Sequence, residues 1–290
     1  MINFYVLGKK GFIALQLLEK PLLSNIKTII IGTDKEIQND YSIEIEDFAK
    51  GNNIHYIDRV YFSDEINKNV NLNIAIGWRW LLPLEIPLII LHDSILPKYR
   101  GFNPLVTALI NGDKEIGVTA LYGTKEFDKG DIIAQRIFTI QYPIKIERLI
   151  DLIAKEYAFL FKTVIEKYND SVVIKAVPQD EDKATFSLWR DEEDYRIDWA
   201  QDSILIKRMI DSLGFPYKGA STTVDNTIVR IFDSEVFEDV NISNRTPGKV
   251  LFKNDDAYII VCGKGLLKVS CFFSDSGERI EFNKFRIRFK

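Results

Sequence analysis

Residues 88–101 read LIILHDSILPKYRG and decide how the first half of the chain folds. The apolar run Leu88–Leu91 predicts a buried strand, and His92 follows it directly. The loop after His92 mixes polar side chains with Pro97 and Gly101. Because strand ends in an open parallel sheet face a ligand crevice, this loop is a candidate active site. A surface histidine beside a turn explains the same pattern equally well.

Strand and helix patterns alternate on both sides of this stretch. Short apolar or β-branched runs predict strands, and apolar residues at helical spacing predict helices between them. The predicted strands are Phe4–Leu7, Lys27–Ile31, Leu72–Ile76, Leu88–Leu91 and Ile132–Gln135, and the predicted helices include Ile43–Lys50 and Ile146–Tyr168. Strands separated by helices indicate an α/β fold with a doubly wound, mostly parallel sheet.

The last third of the chain has a different pattern. A helix is predicted from Ser203 to Leu213, with Gly214 as its C-terminal cap. Short alternating strands between Gly and Pro turns follow, at Ile228–Phe232, Lys249–Phe252, Tyr258–Cys262 and Leu266–Cys271. They predict a small antiparallel barrel or sandwich. We therefore divide the chain into an α/β domain at 1–180, a linker and helix at 181–215, and a small β-rich domain at 216–290.

Composition excludes several classes of protein. With 46% hydrophobic and 28% charged residues the chain is an ordinary globular one, and a net charge of -4 gives no overall reason to bind nucleic acid. No apolar run is long enough to span a membrane, and the N-terminus lacks the basic start of a signal peptide, so we expect a cytoplasmic protein without a membrane partner.

Cysteine and histidine are scarce. Cys262 and Cys271 lie in an apolar stretch and are interpreted as buried small hydrophobes. Any imidazole chemistry must use His55 or His92, since these are the two histidines of the chain. A three-histidine metal centre is thereby excluded, and no metal is predicted.

A second loop carries a candidate partner for His92. The sequence DKGD at 128–131 precedes the predicted strand Ile132–Gln135. Asp128 at such a turn can be a simple Asx-turn residue. A carboxylate packed against His92 would instead fix its tautomer and prepare it to accept a proton. Spacing along the chain does not decide whether the two loops meet.

The motifs around these loops, taken in order, resemble the folate-dependent formyltransferase family. They are HxSxLPxxRG at 92–101, NG at 111–112, GVT at 117–119 and DxGDIIxQ at 128–135. RIDW at 196–199, PGKV at 247–250 and CGKG at 262–265 resemble the C-terminal barrel of the longer members. The resemblance implies a Rossmann-like first domain, transfer of a formyl group from N10-formyltetrahydrofolate to an amine, and His92 and Asp128 as the catalytic pair.

Segments 92–94, 187–192 and 214–220 are most similar to sugar N-formyltransferases, which act on dTDP-linked amino-dideoxy sugars for surface glycans such as lipopolysaccharide O-antigen. The resemblance therefore implies a nucleotide-linked sugar as partner, no nucleic acid, and a homodimer. The candidate contacts are Tyr217 for the base, Lys218 and Arg190 for the phosphates, and Ser94, Lys98 and Tyr99 in the loop after His92. Turn packing for Tyr217 and a surface ion pair for Arg190 remain alternatives.

The pterin of the folate is expected beside residues 78–81. The residues concerned are Trp78, Arg79, Trp80 and Leu81, with Asp131 as a further contact. Trp78 and Trp80 alternate around Arg79 and would share a face of a strand-like segment. Core packing explains at least one of the two indoles equally well.

One position departs from the family pattern. The family usually has asparagine two residues before the histidine, where this chain has Ile90. That asparagine is assigned to the formyl oxygen or its oxyanion, and comparable donors are worth roughly 3 kcal/mol. Backbone amides, a protonated His92, Asn103 or Ser94 are possible replacements. The other possibility is a slow enzyme or a protein that only binds its ligands, but the presence of both His92 and Asp128 favours an active enzyme.

Two other reactions compete with sugar formylation. Formylation of an aminoacylated tRNA calls for a basic surface. Residues 201–290 carry 14 Lys and Arg against 12 Asp and Glu, a net charge of +2, which favours a nucleotide-linked sugar instead. A hydrolase that releases formate would use much the same His–Asp pair with water in place of the amine.

Overall fold

The computed structural model describes residues 1–35, 37–171, 173–254, 257–282 and 284–290. These residues form two compact units. Unit 1 consists of residues 1–105, 114–140 and 148–189, and unit 2 of residues 106–113, 141–147 and 190–290. The predicted linker and helix at 181–215 is therefore divided between the units after residue 189. The division into domains at 1–180 and 216–290 with a linker and helix between them stays a prediction.

Unit 1 contains a seven-stranded sheet and a separate two-stranded one. Its strands are β1 (Ile2–Val6), β2 (Ile26–Ile31), β3 (His55–Asp58), β4 (Leu72–Ile76), β5 (Leu88–His92), β6 (Arg100–Gly101), β7 (Glu115–Tyr122), β8 (Ile132–Thr139) and β9 (Phe186–Ser187). The helices of this part of the chain are α1 (Gly8–Gln16), α2 (Lys20–Leu23), α3 (Ser42–Gly51), α4 (Pro104–Asn111) and α5 (Ile146–Asp170). Short 3₁₀ helices cover Arg59–Tyr61, Asp64–Asn67 and Glu181–Lys183.

The strand order of the large sheet is β3-β2-β1-β4-β5-β7-β8. The first five strands run parallel, and β7 and β8 run antiparallel to their neighbours. The prediction of a doubly wound, mostly parallel sheet is thus confirmed. The chain order reverses between β1 and β4, and the crevice at the carboxyl ends of such strands is where ligands bind in open α/β sheets. His92 is the last residue of β5, the strand next to β4.

Strand β1 shows why the sheet is apolar on both faces. The ring of Phe4 stacks on Phe161 of α5 with 4.5 Å between centroids. The neighbouring Tyr5 makes an edge contact with Trp78 at 5.2 Å. Because neighbouring side chains point to opposite faces, β1 is covered on both sides, and all five of its residues are buried.

Unit 2 contains most of α4, the helix α6 and two antiparallel sheets. Its elements are α6 (Ser203–Leu213), β10 (Ala220–Val224), β11 (Thr227–Ile231), β12 (Glu235–Phe237), β13 (Val250–Asn254), β14 (Ala257–Val261), β15 (Leu266–Val269), β16 (Phe272–Ser274) and β17 (Arg279–Ile280), with a 3₁₀ helix at Glu193–Tyr195. The sheet orders are β10-β11-β16-β17 and β12-β15-β14-β13. This confirms the predicted antiparallel β domain.

Two details of unit 2 differ from the sequence-based prediction. The strand predicted at Leu266–Cys271 is observed as β15, but it ends two residues earlier, at Val269, before the chain passes to the other sheet at β16. Helix α6 ends at Leu213 as predicted, but its C-cap Gly214 has φ -68° and ψ -170°. This is extended backbone rather than the left-handed conformation that favours glycine.

The structure also bears on the cysteines and on membrane association. Cys262 is fully buried, and its burial raises the pKa of the thiol to about 12, which makes it an inert small hydrophobe as predicted. Cys271 is half-buried. None of the helices in the described ranges is long and apolar enough to cross a bilayer.

Candidate active site

His92 lies at the carboxyl end of β5 with both ring nitrogens facing oxygen atoms. Its Nε2 donates to the carbonyl of Tyr99 at 2.9 Å, and its Nδ1 lies 3.5 Å from Oδ1 of Asp128. The loop after His92 and the loop that carries Asp128 therefore lie next to each other, which the spacing along the chain did not decide. His92 is buried, so its interpretation as a surface histidine is wrong. With Nε2 already protonated towards Tyr99, the ring accepts a further proton at Nδ1, where the Asp128 carboxylate stabilises it.

Asp128 is held by backbone contacts in an unusual conformation. Its φ of 51° lies in the left-handed region, which few residues other than glycine adopt. Its Oδ2 accepts from the backbone N–H of Gly101 at 2.8 Å, and its carbonyl accepts from Nε2 of Gln179 at 2.7 Å. One carboxylate oxygen thus holds the loop after His92 while the other faces the imidazole. Such strain persists where the surroundings fix it, typically at functional sites.

Replacing Gly130 by alanine is expected to disturb this loop. An added Cβ would overlap the carbonyl oxygen of Tyr122, a backbone atom that cannot move aside freely. The loop must shift, which weakens the 2.7 Å bond from Gln179 to the Gly130 carbonyl. We expect Gly130→Ala to lower the free energy of unfolding by about 1–3 kcal/mol, measured by denaturant titration.

Gly51→Ala is the matched control for this prediction. Gly51 lies at the end of α3, and an added Cβ there meets no atom within 4 Å. We expect its unfolding free energy to equal or slightly exceed that of the parent. Equal stabilities of the two variants would contradict the steric account of Gly130.

The first part of the loop after His92 is fixed by Thr119 and Gln135. Thr119 lies opposite His92 in the β5–β7 pair. Its hydroxyl donates to the carbonyl of Ser94 at 2.7 Å and accepts from Nε2 of Gln135 at 2.8 Å. Gln135 also donates to the carbonyl of Leu96 at 2.8 Å. Both residues lie within motifs of the family resemblance, but the sequence predicted no role for them. The structure shows that they hold this loop.

Arg100, in the motif that begins at His92, forms its hydrogen bonds within the protein. Arg100 is almost fully buried, and its guanidinium donates to Oε1 of Gln179 and to the carboxylate of Glu181 at 2.9–3.0 Å. Gln179 therefore joins Arg100 to the loop that carries Asp128. Gln179 lies outside every motif of the sequence, and no local signal pointed to it.

The two tryptophans predicted beside the pterin contact each other. The rings of Trp78 and Trp80 meet edge to face at 4.9 Å, so they share one side although residues 77–82 lie outside the strands. Trp78 packs against the apolar cluster of unit 1, which agrees with the core alternative for this residue. Its Nε1 is nevertheless buried without a hydrogen-bond partner in the described part of the chain. The guanidinium of Arg59 lies 3.9 Å from the Trp80 ring centroid.

The remaining residues predicted for the folate are more exposed. Arg79 is 47% exposed and forms an ion pair with Asp34. Leu81 is 78% exposed, and the side chain of Asp131 is also exposed. Their contacts with folate stay predictions.

The predicted substrate contacts in the loop after His92 differ in exposure. Ser94 is 4% exposed, and its Oγ has no hydrogen-bond partner among the described residues. Lys98 is exposed and its Nζ lies 4.6 Å from the ring centroid of Tyr99. Tyr99 is buried at φ 61°. Its observed contact with the site is made by the backbone carbonyl that holds His92, a role that side-chain reasoning missed.

The residues predicted for the base and the phosphates of the sugar nucleotide lie in unit 2. Arg190 and Lys218 are 28 positions apart in sequence, yet both act on the phenol of Tyr195. Burial raises the pKa of Tyr195, and these two cations partly lower it again. Arg190 donates to Oγ1 of Thr107 at 3.3 Å, and its Nε is buried without a partner in the described ranges. Tyr217 is half-buried. The contacts of Arg190, Tyr217 and Lys218 with a nucleotide stay predictions.

Ile90 lies two residues before His92 on the same side of β5. It is half-buried and packs against the apolar cluster of Tyr5, Ile30, Ala75 and Leu88. The position that carries asparagine in the family pattern therefore belongs to an apolar surface here. Among the described residues, no group of three or more His, Cys, Asp or Glu side chains is placed to hold a metal.

Comparison with known proteins defines the class to which this fold and site correspond. The formyl transferase profile matches residues 63–165, and the profile of the formyl transferase C-terminal domain matches residues 190–287. Together they cover more than half of the chain, in the order of the two units. The protein is thus of the two-part formyl transferase type. The chain belongs to the formyl transferase family.

Individual relatives were found by sequence and by structure. The chain is 33% identical over 178 residues to methionyl-tRNA formyltransferase of Caldanaerobacter subterraneus subsp. tengcongensis and 34% identical over 202 residues to that of Staphylococcus aureus strain MW2. These alignments cover 61% and 66% of this chain, and they span 56% and 62% of the two relatives. An N-formyltransferase of Helicobacter canadensis, solved with folinic acid and dTDP-3-aminofucose, superimposes with a TM-score of 0.70 at 16% identity. That superposition covers 96% of this chain and 99% of the other.

Proposed function

We propose that the protein transfers a formyl group from N10-formyltetrahydrofolate to the amine of a nucleotide-linked amino-dideoxy sugar. The observation that carries this proposal is the pair formed by the buried His92, at the carboxyl end of β5, and the half-buried Asp128, in a chain of the formyl transferase family. Formyl transfer to an amine needs a base for the amine proton and donors for the developing oxyanion.

His92 is the base in this proposal. The amine nitrogen attacks the formyl carbon, and His92 would return the proton it takes from the amine to the donor nitrogen that leaves as its bond to the formyl carbon breaks. Nδ1 of His92 accepts the amine proton, and Asp128 at 3.5 Å stabilises the imidazolium that results. The bond from Nε2 to the Tyr99 carbonyl keeps the ring in the orientation that this transfer requires.

The folate side of the proposal rests on unit 1. Trp78 follows β4 at the reversal of strand order, where ligands bind in such sheets. Its buried, unpartnered Nε1 is a donor suited to a carbonyl or ring nitrogen of a pterin. When bound, the folate would supply the activated formyl group, and the residues that would hold it are Trp78, Arg79, Trp80, Leu81 and Asp131.

The choice of acceptor rests on unit 2 and on the extent of similarity. Arg190, whose Nε is buried without a partner in the described ranges, and Lys218 are the cations that we assign to the diphosphate. The superposition with the dTDP-sugar-bound enzyme of H. canadensis extends over nearly the whole of both chains. Higher sequence identity to methionyl-tRNA formyltransferases, over 61–66% of this chain, makes an aminoacylated tRNA the second candidate acceptor.

Mass spectrometry of the products tests the proposal. The protein is incubated with N10-formyltetrahydrofolate and a panel of dTDP- and UDP-linked amino sugars, with initiator methionyl-tRNA in a parallel reaction. A mass gain of one formyl group on one sugar nucleotide supports the proposal. Formylation of the tRNA alone would replace the sugar as acceptor, and release of formate without any acceptor would assign a hydrolase.

Ile90 cannot donate the hydrogen bond to the oxyanion that the family assigns to asparagine at this position. In this proposal the hydroxyl of Ser94 donates it instead. Its hydroxyl is buried, lies two residues after His92 and lacks a partner among the described residues. We expect Ile90→Asn to lower the free energy of unfolding by about 1–3 kcal/mol, because it places an amide in the apolar cluster around Ala75. We expect no gain in turnover from it, and Ile90→Val serves as the conservative control. A large gain in formyl transfer by Ile90→Asn would instead support the hypothesis of a ligand-binding protein.

A further inference from the structure

A buried charged group lies directly beyond His92, and none of the roles above uses it. The carboxylate of Asp93 accepts hydrogen bonds from Nζ of Lys10 and from the hydroxyl of Tyr157. The side chains of Lys10 and Asp93 are 20% and 15% exposed. The Tyr157 hydroxyl also lies 3.3 Å from the carbonyl oxygen of Leu91. Lys10 on α1 and Tyr157 on α5 thus converge on one carboxylate at the end of β5.

His92 and Asp93 are consecutive residues with separate sets of partners. His92 contacts the Tyr99 carbonyl and Asp128, whereas Asp93 contacts Lys10 and Tyr157. Asp93 lies one residue beyond β5, and its partner Tyr157 belongs to α5, which packs on Phe4, on the face opposite to the cluster that contains Tyr5 and Ile90. Asp93 therefore anchors the end of β5 from the side opposite the imidazole.

The charges around Asp93 keep it ionised. Burial raises the pKa of the Asp93 carboxyl, but the charge and hydrogen bond of Lys10, the bond from Tyr157 and the charge of His92 together hold it below its ordinary value. Burial and the neighbouring Asp93 raise the pKa of Tyr157 well above its ordinary value, so Tyr157 stays a neutral donor. The negative charge of Asp128 also raises the pKa of Tyr157. The negative charge of Asp93 therefore persists at neutral pH, one residue from His92.

Docking of α1 on α5 alone does not account for this buried pair. Lys9 and Asp151 already join the two helices by an ion pair farther out, with 29% and 37% exposed side chains. Desolvating Lys10 and Asp93 is unfavourable, and buried ion pairs are often no more stabilising than apolar residues of the same volume. An effect of the Asp93 carboxylate on the neighbouring His92 would give this largely buried charge a function in the chemistry of the site.

We propose that Asp93 is a positioning residue for His92, which fixes the end of β5 and adds a second buried negative charge, besides Asp128, in favour of the protonated imidazole. Its catalytic meaning rests on the proposed function. The placement of charge around His92, in contrast, can be measured without any substrate.

Histidine NMR tests this proposal on the intact protein. Because the chain has two histidines, ¹⁵N-histidine labelling gives two pairs of ring signals, and His55→Gln identifies the pair of His92. We expect Asp93→Asn to move the titration midpoint of His92 to lower pH by on the order of half a unit, since the imidazolium loses one negative neighbour and keeps the positive Lys10. The signal of His55 should titrate as in the parent.

A double variant and a control separate charge from structure. The double variant Lys10→Met/Asp93→Asn removes both charges, so we expect the titration midpoint of His92 to fall by less than in Asp93→Asn. Because the double variant leaves no lysine without its carboxylate partner, we expect it to melt at a higher temperature than Asp93→Asn. Lys9→Met breaks the outer ion pair and should leave the His92 midpoint unchanged. If Asp93→Asn does not fold, the double variant carries the test.

Coinciding His92 midpoints in the parent and the Asp93 variants, with lowered stability alone, would overturn the proposal. A shifted midpoint without formylation of any acceptor would support the placement of Asp93 and reject the proposed function. Where formyl transfer is found, the pH at half-maximal kcat/KM should follow the same order as the NMR midpoints.

Discussion

His92→Asn is expected to lower the rate of formyl transfer by about 10³-fold, because the amine proton loses its acceptor at Nδ1. Asparagine keeps a polar side chain of similar reach, so the loop held by Thr119 and Gln135 should keep its conformation. We therefore expect binding of the sugar nucleotide, measured by calorimetry, to stay close to that of the parent. The rate is measured by formation of formylated product at saturating donor and acceptor.

His55→Asn is the matched control for this first prediction. His55 is an exposed residue of β3 whose Nδ1 lies 3.3 Å from Oγ1 of Thr28. Its replacement should leave the transfer rate unchanged. A rate for His92→Asn close to that of the parent would remove the base from the proposed mechanism.

Asp128→Asn is expected to lower the rate by about 10²-fold or more, with unchanged stability within roughly 1 kcal/mol. The amide oxygen of asparagine can still accept from the Gly101 N–H, so the loop contact at 2.8 Å is preserved. The negative charge at 3.5 Å from Nδ1 is lost, and with it the stabilisation of the protonated ring. Product formation and thermal unfolding are measured on the same preparation.

The second prediction has its own control and a coupling test. Glu126→Gln removes an exposed carboxylate of the same loop that pairs with Lys129 at 3.0 Å, and it should leave the rate unchanged. His92 and Asp128 act as a unit, so the double variant His92→Asn/Asp128→Asn should be little slower than His92→Asn. Fully multiplicative losses would show that the two residues act independently.

Much of the fold follows from local patterns in the sequence. The run Leu72–Ile76 is observed as β4 with unchanged bounds, and the apolar face that predicts a helix at Ile146–Tyr168 is observed as α5. Hydrophobic periodicity is a local property, because each residue of a strand or helix faces a core or solvent according to its own position. The predicted strand that begins at Leu266 is observed as β15, but its local pattern continues past Val269, where β15 ends and the chain passes to the other sheet.

The candidate site was predictable in part. His92, Asp128 and the motifs around them lie within one ordered stretch of sequence, and that order sufficed to indicate the family. Side chains that contact the site from distant positions in the sequence could not be recognised in this way. Gln179 reaches Asp128 from 51 positions away, and Tyr157 reaches Asp93 from 64 positions away.

By itself, the sequence determined the alternation of strands and helices, the position of His92 at a strand end and the absence of an amide at position 90. Those properties depend on the order of residues along the chain. Only the tertiary structure decided that Asp128 faces Nδ1 of His92, that Ile90 belongs to an apolar cluster and that Asp93 is buried between Lys10 and Tyr157. Contacts of this kind arise when folding brings separate loops and helices to one edge of the sheet, where charges interact more strongly than they would in water.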